Sequence, residues 1–409
     1  MTKTQIWRRV LMAGGLAAVL TGGALITGVA QAEEPGGYTL EKPKPQVAMT
    51  PPMGWNSWNH FACNIDEAKI RGAADAMVAS GMKDAGYRYV IIDDCWQVGR
   101  DDAGNIVADP VKFPSGIKAL ADYIHSKGLK FGIYSDAGLK TCGGRPASRG
   151  HEFQDAKQYA AWGVDYLKYD WCNTGSDDAQ ADYRIMAMAL RDSGRDIVFS
   201  LCEWGNHKPW EWAGDVGHLW RTTGDIWDNW DQNKGYMHSV TDILDQQVGL
   251  EKYSGPNHWN DPDMLEVGNG GMTDTEYRAH FSLWAMLAAP LIAGNDLSNM
   301  SDATKAILMN KDVIAIDQDA LGQQGHRVSK DGDYEVWARP LSNGDTAVIL
   351  LNRSKAAHTM TADWTALGLP AKADVKDLWS KTVKKNVRTA YAAEVPSHGV
   401  VMIRVTPKG

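Results

Sequence analysis

Short apolar runs alternate with helix-period segments from about residue 51 to residue 325, and this alternation constrains the fold more than any other feature. The runs are PMGWNSW, YRYVIIDD, KFGIYSDA, VDYLKYD, DIVFSLCEW, GHLWRTTGD, NHWNDPDML and APLIAGND. Between them lie 67–85, 116–128, 155–161, 179–192 and 275–288, most with apolar residues at helical spacing. Strand then helix, repeated about eight times, predicts a parallel (β/α)8 barrel over 51–325. Nearly every run ends on chemically able residues: Asn56, Asp93 and Asp94, Ser135 and Asp136, Asp170, Cys202 and Glu203, Arg221, Asp261 and Asp263, Asn295 and Asp296. A barrel gathers its strand C-termini on one face, so these residues read as the lining of one pocket.

The texture changes after about Gly325. YEVWARPL, TAVILLNRS, ALGLPAKADVKDLWS and HGVVMIRV read as short strands with turn residues between them. They predict a C-terminal antiparallel β-sandwich over 326–409. At the other end, residues 1–32 read as a signal peptide. Lys3, Arg8 and Arg9 precede the apolar stretch 10–29, and Ala30-Gln31-Ala32 forms a cleavage signal before Glu33. The Arg8-Arg9 pair also fits twin-arginine export, although Trp7 stands where that signal carries Ser or Thr. Residues 33–50 form a Pro- and Lys-rich lead-in segment. No other stretch is long and apolar enough to span a bilayer, so a secreted or periplasmic chain, free of the membrane after cleavage, is expected.

Export implies an oxidising compartment, where disulfides persist. The chain has five cysteines, Cys63, Cys95, Cys142, Cys172 and Cys202, so at least one lacks an intrachain partner. Cys63 could close onto Cys95 and Cys142 onto Cys172, and both bridges would rigidify the polar face. Nothing in their spacing suggests zinc.

The chemistry centres on VDYLKYDWCN. Period-two spacing puts Lys168, Asp170 and Cys172 on one strand face. A cation nearby favours the ionised form of Asp170, and an ionised carboxylate in a cleft can act as a nucleophile. Asp93 and Asp94 both reach a ligand only if their strand ends and bends there; two Asp without a third ligand make a poor metal site. WRTTGDI places Arg221 four residues before Asp225, and a second carboxylate facing Asp170 is what glycoside hydrolysis requires. Glu203 with Trp204, and Trp55 with Trp58 close by, add an acceptor and aromatic faces. The 17 Trp against 6 Phe suit sugar stacking, and the net charge of -8 supplies no phosphate-binding surface for nucleic acid. With no glycine-rich phosphate loop, the pocket fits a neutral polyol.

Taken in order, MGWNSW, IDDCW, FPSGIKALADYIHSKGLKFGIYSDAG, TCGG, WGVDYLKYDWC, CEWG, WRTTGDI, WNDPDML and MNKDVIAIDQDALGQQG resemble the α-galactosidase family, glycoside hydrolase family 27. The resemblance implies a retaining double displacement without metal or organic cofactor. Asp170 would be the nucleophile and Asp225 the general acid/base, about 5–5.5 Å apart. Asp93, Asp94, Tyr134, Lys168 and Arg221 would bind the galactose hydroxyls. Trp55 and Trp204 would wall the pocket, with Asp263 and Met264 at its far side. Cys63–Cys95 and Cys142–Cys172 match family disulfides, which leaves Cys202 free.

Related acetamido-specific enzymes carry small residues at the position of Glu203, so its carboxylate argues for a free 2-hydroxyl over α-N-acetylgalactosaminide. The intact Asp93-Asp94 pair argues for galactose over β-L-arabinopyranose. A catalytically silent galactoside-binding protein would lack Asp170 or Asp225, and this chain has both. An α-galactoside oligosaccharide, polysaccharide or glycoconjugate is the implied substrate, and the sequence sets no oligomeric state.

Overall fold

The computed structural model describes residues 42–408. The signal-peptide reading of 1–32 lies outside them, as does the first part of the lead-in segment. No helix among the described residues is long and apolar enough to cross a membrane.

Eight parallel strands form the barrel: β1 (Met53–Asn56), β2 (Tyr89–Ile91), β3 (Lys130–Asp136), β4 (Tyr166–Asp170), β5 (Val198–Cys202), β6 (Leu219–Arg221), β7 (Trp259–Asp261) and β8 (Leu291–Ala293). From β1 to β7 each strand pairs with the next, and β8 pairs with β1 through Met53↔Leu291 to Trp55↔Ala293. The ring closes past the end of β7, where Leu265 bridges to Ala293; Leu265 N donates to Ile292 O at 2.8 Å and Gly294 N to Leu265 O at 3.0 Å. Helices Glu67–Ala79, Gly116–Ser126, Glu152–Trp162, Ala179–Asp192 and Asp274–Met286 fall on the five segments with helical spacing. The first stops short of Ala85 because Gly81 turns left-handed at φ 88° and starts a separate short turn, Met82–Ala85.

Alternation along the strands decides what fills the barrel. Tyr89, Ile91, Tyr166, Val198, Leu219, Trp259 and Ile292 form one buried cluster inside the ring. Val90, Phe131, Ile133, Leu167, Phe199, Leu201 and Trp220 belong instead to the cluster shared with the helices. Gly54 faces inward opposite Tyr89, and a Cβ there would sit 2.5 Å from Tyr89 O, so only glycine lets these strands approach. The described part of the lead-in straps the strand-start end. Lys44 Nζ donates to the carbonyls of Gly214, Gly217 and Asn257 at 2.7–2.9 Å, and Trp259 Nε1 donates to Ala48 O at 2.8 Å.

The sandwich follows as β9 (His326–Asp331), β10 (Tyr334–Pro340), β11 (Thr346–Asn352), β12 (His358–Asp363), β13 (Lys372–Asp377), β14 (Val383–Arg388), β15 (Ala390–Val395) and β16 (Gly399–Pro407). The larger sheet runs β9-β10-β11-β16-β13-β14, and β12 pairs with β15 against it. One face of β11 and β16 buries Ile349, Leu351, Val400 and Met402 in the barrel's cluster, while Val348, Leu350, Ile403 and Val405 fill the sandwich. Sequence reading finds the apolar β10, β11, β13 and β16. The strands without an explicit signal are β9, β12, β14 and β15, and β14, VKKNVR, has only Val383 and Val387 as apolar residues. The hairpin Gln97–Arg100 with Ile106–Ala108 is likewise an addition of the structure.

Candidate active site

The inward parity of β3 and β4 delivers the central carboxylates. Gly132, Tyr134 and Asp136 face inward in register with Tyr166, Lys168 and Asp170. The apolar layer of Tyr166 lies below, Lys168 sits above it, and Asp170 ends the strand. Its Oδ2 accepts from Tyr134 Oη at 2.9 Å and its Oδ1 from its neighbour's backbone, Trp171 N, at 3.1 Å. Burial pushes the Asp170 carboxyl up to about 6, against the pull of the Lys168 cation; the charges of Asp225 and Asp93 add to the rise. Asp170 is therefore largely ionised at neutral pH.

Lys168 does not pair directly with Asp170. Its Nζ lies 2.9 Å from Asp93 Oδ2, which also accepts from Asn56 Nδ2 at 2.7 Å. Burial works against the Lys168 ammonium, but Asp93 and the other negative groups around it carry it well above the usual lysine range. Asp93 continues the inward parity of Tyr89 and Ile91 beyond the end of β2. Asp94 takes part because the chain bends there, with Cys95 at φ 75°. Its Oδ1 accepts from Cys95 N and its Oδ2 from Gly143 N, both at 2.6 Å. A Cβ at Gly143 would stand 2.9 Å from both Asp94 Oδ2 and Cys95 Sγ, which explains the glycine in TCGG. Burial raises the Asp94 carboxyl, opposed by those backbone donors.

Both cysteine pairs form as read, Cys63–Cys95 and Cys142–Cys172, and Cys202 is free and buried. The second bridge abuts Asp136, which the sequence reading places on the polar face without a role in binding or catalysis. Its Oδ1 accepts from Gly138 N at 2.7 Å and its Oδ2 from Cys172 N at 2.9 Å. Burial, then the adjacent Asp170, pushes it up to about 9, so Asp170 is the member of this pair that ionises. Asp136 was visible as the polar end of KFGIYSDA but carried no motif of its own. Donor atoms of Asp136, Cys142, Asp170 and Cys172 lie within 4.8 Å of one another, yet the two sulfurs are spent on their disulfide.

Arg221, at the end of β6, organises the other side. It lies 3.1 Å from Asp225 Oδ1 and 2.8 Å from Asp263 Oδ2, and donates to Gly224 O at 2.8 Å. Asp263, at φ 79°, accepts from Ile226 N and Met264 N at 2.8 Å each, tying the loop after β7 to the one carrying Asp225. Met264 is buried and joins the cluster inside the ring. The Asp225 side chain keeps 37% of its surface exposed, whereas Asp170 is buried, so the two acids meet different environments. Glu203 is buried; its Oε2 accepts from His207 N at 2.6 Å and contacts His207 Nδ1 at 2.9 Å. Burial raises its carboxyl, with the His207 contacts pulling the other way. Trp204 follows, half-buried with its backbone left-handed at φ 60°.

One expectation fails. Trp55 does not wall the pocket. Parity turns Gly54 and Asn56 inward, so Trp55 points into the layer beneath the helices, fully buried, with Nε1 donating to Asn295 O at 2.7 Å. Trp58, past the end of β1, is half-buried and packs against the inner cluster that contains Met264. It is the aromatic of MGWNSW that the structure brings to the pocket's side of the ring.

Comparison with known proteins agrees with this geometry. Residues 50–319 match the model for α-galactosidase A, and residues 331–405 match that for the α-galactosidase C-terminal β-sandwich domain. The chain is 54% identical over 378 residues to α-galactosidase A of Cellvibrio japonicus, covering 89% of this chain and 93% of that protein. The crystal structure of α-galactosidase I from Mortierella vinacea superposes with a TM-score of 0.86 at 43% identity, covering 88% and 99% of the two chains. The structure of the Saccharomyces cerevisiae α-galactosidase with raffinose gives 0.85 at 31% identity, covering 90% and 100%.

Proposed function

The chain belongs to the α-galactosidase family and is a glycoside hydrolase, and on that premise we propose how its own residues cleave a terminal α-D-galactosyl residue. The observation that carries the reading is a buried carboxylate, Asp170 at the end of β4, that feels the charge of a second, partly exposed one, Asp225 in the loop after β6. Asp170 attacks the anomeric carbon while Asp225 gives its proton to the departing oxygen, leaving galactose esterified to Asp170. Asp225 then takes a proton from water, whose oxygen attacks the same carbon and frees Asp170. Two inversions retain the α configuration. Tyr134 holds the nucleophile in place through its hydrogen bond, and the neutral Asp136 adds no second negative charge beside it.

Asp93, Asp94, Lys168, Glu203 and Arg221 present charged acceptors and donors for the galactose hydroxyls, with Trp58, Trp204 and Met264 as apolar walls. The substrate is an α-galactoside. Export through the residue 1–32 signal with cleavage before Glu33 is part of the same proposal, supported by two disulfides that suit an oxidising compartment.

Purified protein is expected to turn over aryl α-galactoside and to leave aryl α-N-acetylgalactosaminide and aryl β-L-arabinopyranoside essentially untouched. Preference for either of the latter would keep the chemistry and overturn the roles given to Glu203 or to the Asp93-Asp94 pair.

The pH profile offers a separate check. Attack needs Asp170 ionised, and its carboxyl sits at about 6. The protonated form gains below that pH, so kcat/KM for the galactoside should fall about tenfold per unit on the acid side. An acid limb near the ordinary Asp value, about 3.9, would contradict the assignment.

A further inference from the structure

The segment that leaves Asp225 is built to a degree that catalysis at Asp225 alone does not require. It runs out from Ile226 and returns at His238, where the two residues form a parallel bridge. His238 N donates to Asp225 O at 2.7 Å, and Trp227 N to His238 O at 3.1 Å. Lys234 and Met237 exchange backbone hydrogen bonds at 2.9 and 3.0 Å, which turns the tip. The base is pinned from three directions. His238 Nδ1 lies 2.5 Å from Asp242 Oδ2, Asn233 Oδ1 accepts from Ser239 N at 2.9 Å, and Tyr277 Oη donates to Asp228 at 2.7 Å. Trp230 is buried and stacks on His398 of the sandwich, centroids 5.7 Å apart, and His398 Nδ1 lies 2.8 Å from Glu276. The second domain thus braces a loop of the catalytic face.

This fixed loop carries Tyr236, the most exposed aromatic ring among the described residues at 73%. Tyr236 packs by its backbone directly on the residue before Asp225: a Cβ at Gly224 would stand 2.9 Å from Tyr236 O. Trp227 lies on the same excursion, half-buried, its Nε1 donating to Gln232 O at 2.8 Å. A rigid loop that leaves an aromatic ring in water gains nothing in folding from that ring.

The chemistry says what belongs there. The proton on Asp225 goes to the oxygen of the leaving group, so that group lies on the solvent side of Asp225, away from the buried Asp170. A pyranose offers an apolar C–H face to an aromatic ring, as the flat amphipathic surfaces of Tyr and Trp favour. We propose that Tyr236, on the same loop as Trp227, forms a stacking platform for the leaving sugar, and that this ring is what distinguishes a sugar aglycone from a small alkyl one. The inference rests on the reading of Asp225 as the acid.

The test compares the full chain with its Tyr236→Ala and Tyr236→Phe variants on melibiose and on methyl α-galactoside. Both substrates need the proton from Asp225, and they differ by one glucose ring. Tyr236→Ala should lower kcat/KM for melibiose about fivefold to tenfold. It should leave methyl α-galactoside within about twofold, and Tyr236→Phe should retain both. An equal loss on both substrates would mean that the ring only shapes the loop, and no loss on melibiose would place the leaving sugar elsewhere; either overturns the proposal. Failure of the unaltered chain to hydrolyse both galactosides would instead strike the assignment of function.

Discussion

Asp170→Gly is expected to lower kcat on an aryl α-galactoside by about 10⁴-fold or more, since no other group stands where the covalent bond forms. The variant should regain turnover when sodium azide is added, and the product decides the role. Azide entering the space left by Asp170 attacks from the β face, so nuclear magnetic resonance should show β-galactosyl azide. Asp225→Gly is expected to lose about 10²- to 10⁴-fold, less with a good aryl leaving group that hardly needs protonation. There the galactosyl-Asp170 ester still forms, azide attacks from the opposite face, and the α-anomer appears. An exchange of anomers between the two variants would reverse the assignment. Both substitutions leave the backbone pairing in place, since Asp170 pairs with its neighbours and Asp225 holds His238 through main-chain atoms alone.

The reason these two residues could be read from sequence is the reason they are placed well in the structure. A barrel strand is short, its period is two, and its last inward residue must face the common pocket. VDYLKYD therefore declares Asp170 almost without help, and WRTTGD declares Arg221. Parity also separates the two aromatics of MGWNSW: the register of Gly54 against Tyr89 turns Trp55 outward, while Trp58 lies past the strand, in the turn Trp58–Phe61, where strand parity no longer applies. Asp136 escaped for a different reason. Its importance lies in being next to Asp170 across β3 and β4, and adjacency between strands 34 residues apart is not written in either segment. The loop after Asp225 is harder still. Its bracing by His398 comes from a domain about 160 residues away, and no local pattern announces such a contact. The sandwich strands β9, β12, β14 and β15 carry no apolar run of their own; pairing of β9 with β10, of β14 with β13 and of β12 with β15 makes them strands.

Lys168→Met should separate the stability of this site from its chemistry. Lys168 Nζ and Asn56 Nδ2 both hold Asp93 Oδ2, at 2.9 and 2.7 Å, and the Asp93 side chain is only 2% exposed. Removing the cation leaves a buried carboxylate held only by neutral donors, Asn56 Nδ2 and Asp94 N, at a cost of about 3–5 kcal/mol measured by denaturant unfolding. Adding Asp93→Asn removes the uncompensated charge and keeps the size, so the double variant should recover most of that loss. Activity should not follow. Both variants lack the ammonium that we assign to a galactose hydroxyl, and both should sit roughly 10²-fold below the parent. The acid limb supplies the third reading. Lys168 draws the Asp170 carboxyl down while Asp93 pushes it up. The single variant should therefore move the limb above about 6, and the double variant should bring it part of the way back. If the single variant kept both its stability and its acid limb, the Lys168–Asp93 pair would be incidental, and the positioning of Asp170 would rest on Tyr134 and its neighbour's backbone alone.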